Sequence, residues 1–281
     1  GWRFHRGGAL GADKPNFDDT KWRQVNLPHD WSIEDLPGST SPFSPDAISQ
    51  PSGGFTTGGT GWYRKSFTLP AVQKGKRVQL QFDGIYMNAE IWLNGKRLGK
   101  HPYGYTSFCY DITARLKWDT INVLSVKVRN EGENSRWYAG SGIYRHVWLT
   151  VMDQLHVGQW GTYITTPEVS SSTARVHVQT TVLNETTAGA TVKVITRILD
   201  PKGKEVAAAT NDQQMKDRDT SHWAQDITVP RPSLWSVESP VLYTAVTEVY
   251  RGQQLTDRTQ TPFGIRTITA DAVNGFRLNG K

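Results

Sequence analysis

A single cysteine, Cys109, stands in a chain of 281 residues. One thiol excludes an internal disulfide and any cysteine-based zinc site. Its neighbours Phe108 and Tyr110 predict a small core residue rather than a nucleophile. No apolar run approaches the roughly 18 residues that span a bilayer, so no membrane partner is expected. A block of lysine and arginine is also lacking. The 32 basic residues are scattered among 26 acidic ones, and the net charge of +6 is not gathered into the stripe a nucleic acid needs. The seven histidines show no metal-ligand spacing, so neither a metal nor another cofactor is expected. Helical periodicity is missing from every long segment. The chain opens on Gly1 rather than Met and shows no signal segment, which leaves its compartment open. A secreted or periplasmic location fits, and a cytoplasmic one is compatible.

What is present is alternation with period two. Val78, Leu80 and Phe82 alternate with Arg77, Gln79 and Gln81. Met87, Ala89, Ile91 and Leu93 line one face of the next strand, which ends at the hairpin signal Asn94-Gly95. Tyr63, Phe67 and Leu69 predict another strand. Ile121 to Val128 predict a further one, whose apolar phase shifts at Leu124 as a bulge would cause. The first fifty-odd residues carry Pro28, Pro37, Pro42, Pro45 and Pro51 and predict long loops over the first sheet. A second block follows Val151: Val176, Val178 and Val182, then Ala190, Val192, Val194 and Ile198, the turn Asp200-Pro201-Lys202-Gly203, Trp223, Ile227 and Val229, and a strand from Leu242 to Tyr250. The length suits about two domains, and the pattern predicts an all-β chain of two β-sandwiches, the second immunoglobulin-like.

The most informative stretch is 135–149. Trp137, Tyr138, Tyr144 and Trp148 crowd around Gly140 and Gly142, with Arg136 and Arg145 on either side. The glycines allow positive φ, and Ile143 to Val151 reads as a strand. Aromatic faces cover the apolar C–H faces of a sugar, and a planar guanidinium bonds adjacent hydroxyls. A structural aromatic corner explains the same residue types.

An ordered series of motifs then resembles the N-terminal half of glycoside hydrolase family 2, which holds β-galactosidases, β-glucuronidases and β-mannosidases. The series runs Phe17-Asp18-Asp19-Thr20-Lys21-Trp22, Leu27-Pro28-His29-Asp30-Trp31, Gly61-Trp62-Tyr63-Arg64-Lys65, Phe82-Asp83-Gly84 and Trp92-Leu93-Asn94-Gly95. Tyr103-Gly104-Tyr105, Asp111-Ile112-Thr113, Gly142-Ile143-Tyr144-Arg145, Leu234-Trp235-Ser236-Val237-Glu238-Ser239-Pro240 and Phe263-Gly264-Ile265-Arg266 continue it. The resemblance implies a jelly-roll sugar-binding domain over 1–153, galactose-binding-domain-like, and an immunoglobulin-like sandwich over 154–263. It makes 264–281 a linker and the start of a (β/α)8 catalytic barrel. Such a barrel needs about 250 further residues. The family's acid/base and nucleophile are two barrel glutamates, so no residue of this chain is expected to be catalytic. The parent is then a retaining exo-β-glycosidase, most simply a β-galactosidase, and this portion alone is inactive. Its expected partners are a carbohydrate substrate and its own barrel, and a homo-oligomer is compatible with the reading.

By the same resemblance Arg136, flanked by Trp137 and Tyr138, contacts substrate; an inter-domain structural role is the alternative. The adjacent pairs Asp18–Asp19 and Glu34–Asp35 point to opposite faces and suit no acid/base chemistry. His29-Asp30 is expected to be a structural hydrogen-bonding unit, with Asp30 capping the next turn or anchoring a loop. Glu131 and Glu133 are expected to be solvated or paired with Arg129 or Arg136. Arg145 is expected to be a buried or interface ion-pair partner, and Trp22, Trp31, Trp92 and Trp235 to serve core packing. The glycine-rich loop 52–61 lacks a phosphate-binding signature and reads as a substrate border or a surface loop. Two rival readings of the whole chain remain, a stand-alone lectin-like module and a structural interaction module.

Overall fold

The computed structural model describes residues 1–133 and 140–281. The chain divides into two compact units, Gly1–Val151 and Met152–Lys281. The first unit contains β1 (Trp2–Arg6), β2 (Arg23–Val25), β3 (Gly59–Thr68), β4 (Arg77–Phe82), β5 (Ala89–Leu93), β6 (Lys96–His101), β7 (Phe108–Asp111), β8 (Ile121–Asn130) and β9 (Val147–Met152). They form a six-stranded sheet, β2-β1-β3-β8-β5-β6, and a three-stranded sheet, β7-β4-β9. Alternation explains the pairing of layers. Val78, Leu80 and Phe82 of β4 meet Tyr63 of β3, Ile91 and Leu93 of β5, and Leu124, Val126 and Val128 of β8 in one buried core. The β5–β6 hairpin turns at Asn94 and Gly95, both at positive φ, as this dipeptide favours.

Several details differ from the expectation. The first fifty residues are not only loops, since β1 pairs with β3 and carries β2 at the sheet edge. There is no bulge at Leu124, because β3 and β8 stay in register from Gly59↔Asn130 to Thr68↔Ile121. The apolar phase shifts because β8 is buried on both faces between Asn122 and Val126. Its second face is covered at Ser125, where the Arg64 side chain of β3 crosses it and donates to Ser125 Oγ at 2.9 Å. Cys109 is half-buried on β7 rather than sealed in the core. Met87 precedes β5 and is half-buried, so the strand's buried row is Ala89, Ile91 and Leu93.

The second unit contains β10 (Leu155–Val169), β11 (Thr173–Asn184), β12 (Ala190–Leu199), β13 (Glu205–Met215), β14 (Asp219–Pro230), β15 (Tyr243–Arg251) and β16 (Gln254–Phe263). The hairpin β17 (Ile268–Asp271) and β18 (Gly275–Leu278) follows. Sheets β10-β11-β14 and β13-β12-β15-β16 face each other as an immunoglobulin-like sandwich. Leu242 is exposed and β15 starts one residue later. The interior holds two apolar clusters, one around Val176, Ile198, Ile227 and Ala245, the other around Val157, Val182, Val194 and Trp223. A buried polar group accompanies them. Thr196 donates to Gln225 Oε1 at 2.5 Å, and Gln225 Nε2 donates to Asn211 Oδ1 at 3.0 Å. These bonds give the Thr196 hydroxyl and the Gln225 amide partners in place of the water they leave. Ile265 is fully buried against the first cluster, so the chain past Phe263 still contributes to this core.

Candidate functional site

Arg136, Trp137 and Tyr138 lie outside the described residues, and the structure describes what holds the two ends of segment 134–139. On one side β8 ends at Asn130, which is buried. Its Nδ2 donates to Ser141 Oγ at 2.7 Å and to the Gly140 carbonyl at 3.3 Å. On the other side Ser141 is fully buried. Its N–H donates to Asp30 Oδ1 at 2.7 Å, its carbonyl accepts from Trp31 N at 3.0 Å, and its Oγ accepts from Ser32 Oγ at 2.5 Å. The same Asp30 oxygen accepts from Ser32 N at 2.8 Å and so caps the short 3-10 turn Trp31–Ile33. Asp30 therefore performs both alternatives expected of it, cap and anchor, because an ionised carboxylate has several acceptor sites.

The two glycines of the segment act differently. Gly142 has φ +132 and exchanges two 2.9 Å backbone hydrogen bonds with Tyr86. A Cβ there would lie 2.3 Å from Tyr63 Oη and 2.6 Å from the His29 carbonyl. Gly140 is required by space, since a Cβ would collide with Asp30 Oδ2.

Below this bridge runs a relay that the sequence did not disclose. Tyr63 is fully buried and accepts from the Ile143 N–H. Its hydroxyl donates to His29 Nδ1 at 2.6 Å, and His29 Nε2 donates to Glu34 Oε1 at 2.9 Å. Arg23 donates to both Glu34 oxygens at 2.6 and 2.7 Å. Arg23 Nη2 also lies 3.2 Å from His29 Nε2. With its protons directed at the carboxylate and the imidazole proton on Nε2, that approach joins two donors and is not a hydrogen bond. The hydroxyl–imidazole–carboxylate order resembles a nucleophile relay, but a buried tyrosine has no access to substrate, and the chain of bonds fixes the corner instead. Burial pushes the Tyr63 phenol well above its ordinary value. Burial pushes the His29 imidazole down, against the pull of Glu34. The Glu34 carboxyl is raised by burial, yet the hydrogen bonds from Arg23 and His29 outweigh this and hold it below its ordinary value.

These directions predict acid sensitivity. A depressed imidazole means that acid binds the unfolded chain more readily than the folded one. The His29 contribution is complete above its unfolded value of about 6.5 and fades as pH falls below it. Glu34 acts in the same sense in a lower window, complete above its ordinary value of about 4.3 and lost as pH falls through the depressed one. The thermal midpoint should fall between pH 7.5 and 5.5, and His29→Gln should reduce that fall. Equal slopes in the two proteins would refute the assignment.

A pocket of about 250 Å³ opens beside the frame, lined by Asp46–Ser49, by Thr57, Gly58 and Gly59, and by Asn130, Glu131 and Gly132. Glu131 accepts from Thr60 Oγ1 at 2.5 Å, a partner outside the expected arginines. The glycine-rich loop is tied down at its end: Trp31 Nε1 donates to the Gly58 carbonyl at 3.2 Å, and Arg6 donates to Thr57 Oγ1 at 2.6 Å. Downstream, the strand expected from Ile143 starts later: residues 143–146 lie outside any strand and β9 starts at Val147. Arg145 is exposed, which removes the buried alternative expected of it, because alternation applies only within a paired strand. Trp148 is likewise exposed, with its Nε1 donating to Asp83 Oδ2 at 2.8 Å. Of the tryptophans read as core, Trp31 is fully buried, while Trp22 stacks on His5, Trp92 on Trp62, and Trp235 lies under Arg266. No three His, Cys, Asp or Glu side chains converge for a metal among the described residues.

A sandwich whose loop ends frame an arginine- and aromatic-rich segment, followed by an immunoglobulin-like sandwich, defines a galactose-binding-domain-like pair of domains. The sequence profile for glycosyl hydrolase 2 galactose-binding domain-like regions matches residues 57–149, and that for glycosyl hydrolases family 2 matches 159–266. The β-galactosidase BoGH2A of Bacteroides ovatus is 46% identical over the whole chain, which covers 32% of that protein. A solved glycosyl hydrolase family 2 member from Bacteroides cellulosilyticus superposes with a TM-score of 0.96 at 45% identity, over 100% of this chain and 36% of that one. The β-glucuronidase structure from Bacteroides uniformis gives 0.81 at 31%, over 100% and 33%. The chain belongs to glycoside hydrolase family 2. It spans about a third of the length of these relatives.

Proposed function

We propose that this chain is the substrate-framing portion of a retaining exo-β-glycosidase that releases terminal β-galactosyl residues. In this reading residues 1–153 form the sugar-binding domain, 154–263 the immunoglobulin-like domain, and 264–281 the lead into a (β/α)8 barrel. The barrel supplies the acid/base and the nucleophile, two carboxyl groups roughly 5 Å apart. Arg136 contacts the sugar's hydroxyls, and Trp137 and Tyr138 cover its C–H faces. The observation that carries the reading is the paired anchorage of segment 134–139 by Asn130, Asp30 and Ser141. Three buried polar groups, Asn130, Ser141 and Ser32, converge with the half-buried Asp30 on the ends of this six-residue segment, which a plain surface turn does not need. Galactose is favoured over glucuronic acid by the 46% identity to a β-galactosidase across the whole chain.

The 281 residues alone should not hydrolyse aryl β-galactosides. With the barrel attached, Arg136→Ala should lower kcat/KM for an aryl β-galactoside about 10- to 100-fold, the loss of a charged hydrogen bond worth about 1.5–3 kcal/mol. Turnover by the isolated chain, or an unchanged kcat/KM in the variant, contradicts the proposal. Faster turnover of an aryl β-glucuronide than of the galactoside reassigns the sugar.

A further inference from the structure

We infer that the exposed face of sheet β10-β11-β14 in the second unit carries a separate binding surface for a neutral glycan chain. The starting observation is backbone strain at an exposed aromatic. Between Val157↔Val182 and Thr162↔Thr180, five steps along β10 face two along β11, so β10 carries three extra residues. At the centre of this bulge Trp160 has φ +52, a conformation that bulky side chains seldom adopt, and its indole is 62% exposed. The bulge closes only because the next residue is glycine: a Cβ on Gly161 would lie 2.6 Å from the Gly158 carbonyl and 3.0 Å from that of Thr181. A strained backbone and a large apolar side chain left mostly in water both cost folding free energy. Strain of this kind gathers at binding sites.

The surroundings suit a sugar. Tyr163, also 62% exposed, sits across from Gln179 on β11, which sits across from the small Ala224 on β14. The next row pairs Thr181 with His222, whose Nδ1 lies 3.1 Å from Thr181 Oγ1. The Gln179 amide is oriented by His177, at 3.4 Å, and His177 in turn by Asp226 at 2.8 Å. Trp160, Tyr163, Gln179, Thr181 and His222 line a shallow pocket of about 230 Å³. Two aromatic faces for C–H surfaces, with an amide, a hydroxyl and an imidazole beside them, are the groups that recognise a pyranose. No Asp, Glu, Lys or Arg lines the pocket, which selects a neutral glycan over a uronic acid polymer or a phosphate-bearing ligand. The inference stands on the second unit alone and does not depend on the glycosidase reading.

The test is affinity electrophoresis of the 281-residue chain through gels containing galactomannan, arabinogalactan, mixed-linkage β-glucan or, as the charged comparison, heparin. Retardation in at least one neutral gel is expected, and Tyr163→Ala should weaken it at least tenfold. Trp160→Gly is the decisive variant, because glycine accepts φ +52 without strain. It should lose binding at least tenfold while its Tm stays level or rises. No retardation in any neutral gel, retardation by heparin alone, or full binding by Trp160→Gly overturns the inference. So does a lowered Tm in Trp160→Gly, which would make the indole a structural prop. With the barrel attached, Trp160→Gly should leave hydrolysis of a small aryl galactoside unchanged, so that failure here and failure of the proposed activity are separable.

Discussion

Arg64→Met is expected to destabilise the first unit by about 3–5 kcal/mol, the cost of breaking a buried charge network by removing one partner. The guanidinium is 2% exposed and directs its donors at six separate groups, the longest contact being to the Phe17 carbonyl at 3.5 Å. Nε donates to Asp19 Oδ2 at 2.7 Å, Nη1 to the Ala12 and Lys14 carbonyls and to Ser125 Oγ, and Nη2 to the Pro15 carbonyl. Its face also lies 5.5 Å from the centre of the Phe17 ring. Methionine fills similar volume but leaves carbonyls and a hydroxyl without a donor. Asp19 is about a quarter exposed and can rehydrate, which places the expected cost nearer 3 than 5 kcal/mol. Urea unfolding followed by tryptophan fluorescence measures it. A loss under about 1 kcal/mol would mean that residues 12–17 are held by something other than Arg64.

Gly142→Ala combines two penalties. The backbone sits at φ +132, which costs a side-chain-bearing residue about 1–3 kcal/mol, and the new methyl must displace the Tyr63 hydroxyl and the His29 carbonyl, about 1–3 more. A total of about 2–6 kcal/mol is expected. Gly203→Ala is the control, since Gly203 also has positive φ, +80, but nothing lies within 4 Å of its added Cβ. It should cost about 1 kcal/mol, the strain alone. If the two variants unfold at the same urea concentration, the close approach around Gly142 is not what the chain depends on. Because Gly142 and Ser141 hold one end of segment 134–139, the larger loss should also raise KM in the barrel-bearing protein.

The relation of sequence to site is uneven, for reasons visible in particular residues. His29-Asp30 was legible as a hydrogen-bonding unit because Asp before a short turn is a local capping signal. The partners of that unit were not legible. Ser141 meets Asp30 across 111 positions, and Tyr63 meets His29 across 34, distances that no local pattern reports. The buried alternative for Arg145 failed because alternation was extended four residues upstream of the true start of β9. Leu124 looked like a bulge because a strand buried on both faces breaks the alternation just as a bulge does.

By itself the sequence determined the class: period-two patterning without helical spacing makes sandwiches, and the ordered motifs make this a family 2 chain. Side-chain periodicity and turn chemistry are properties of neighbouring residues, so they can be read along the chain. Tertiary structure alone decided which polar groups meet. It turned Asn130, Asp30 and Ser141 into one frame, Arg64 into a clasp for the loop before it, and an unremarked Trp160 into an exposed, strained platform. Each of these depends on segments far apart in sequence lying a few ångströms apart in space, where buried polar groups can exchange water for one another.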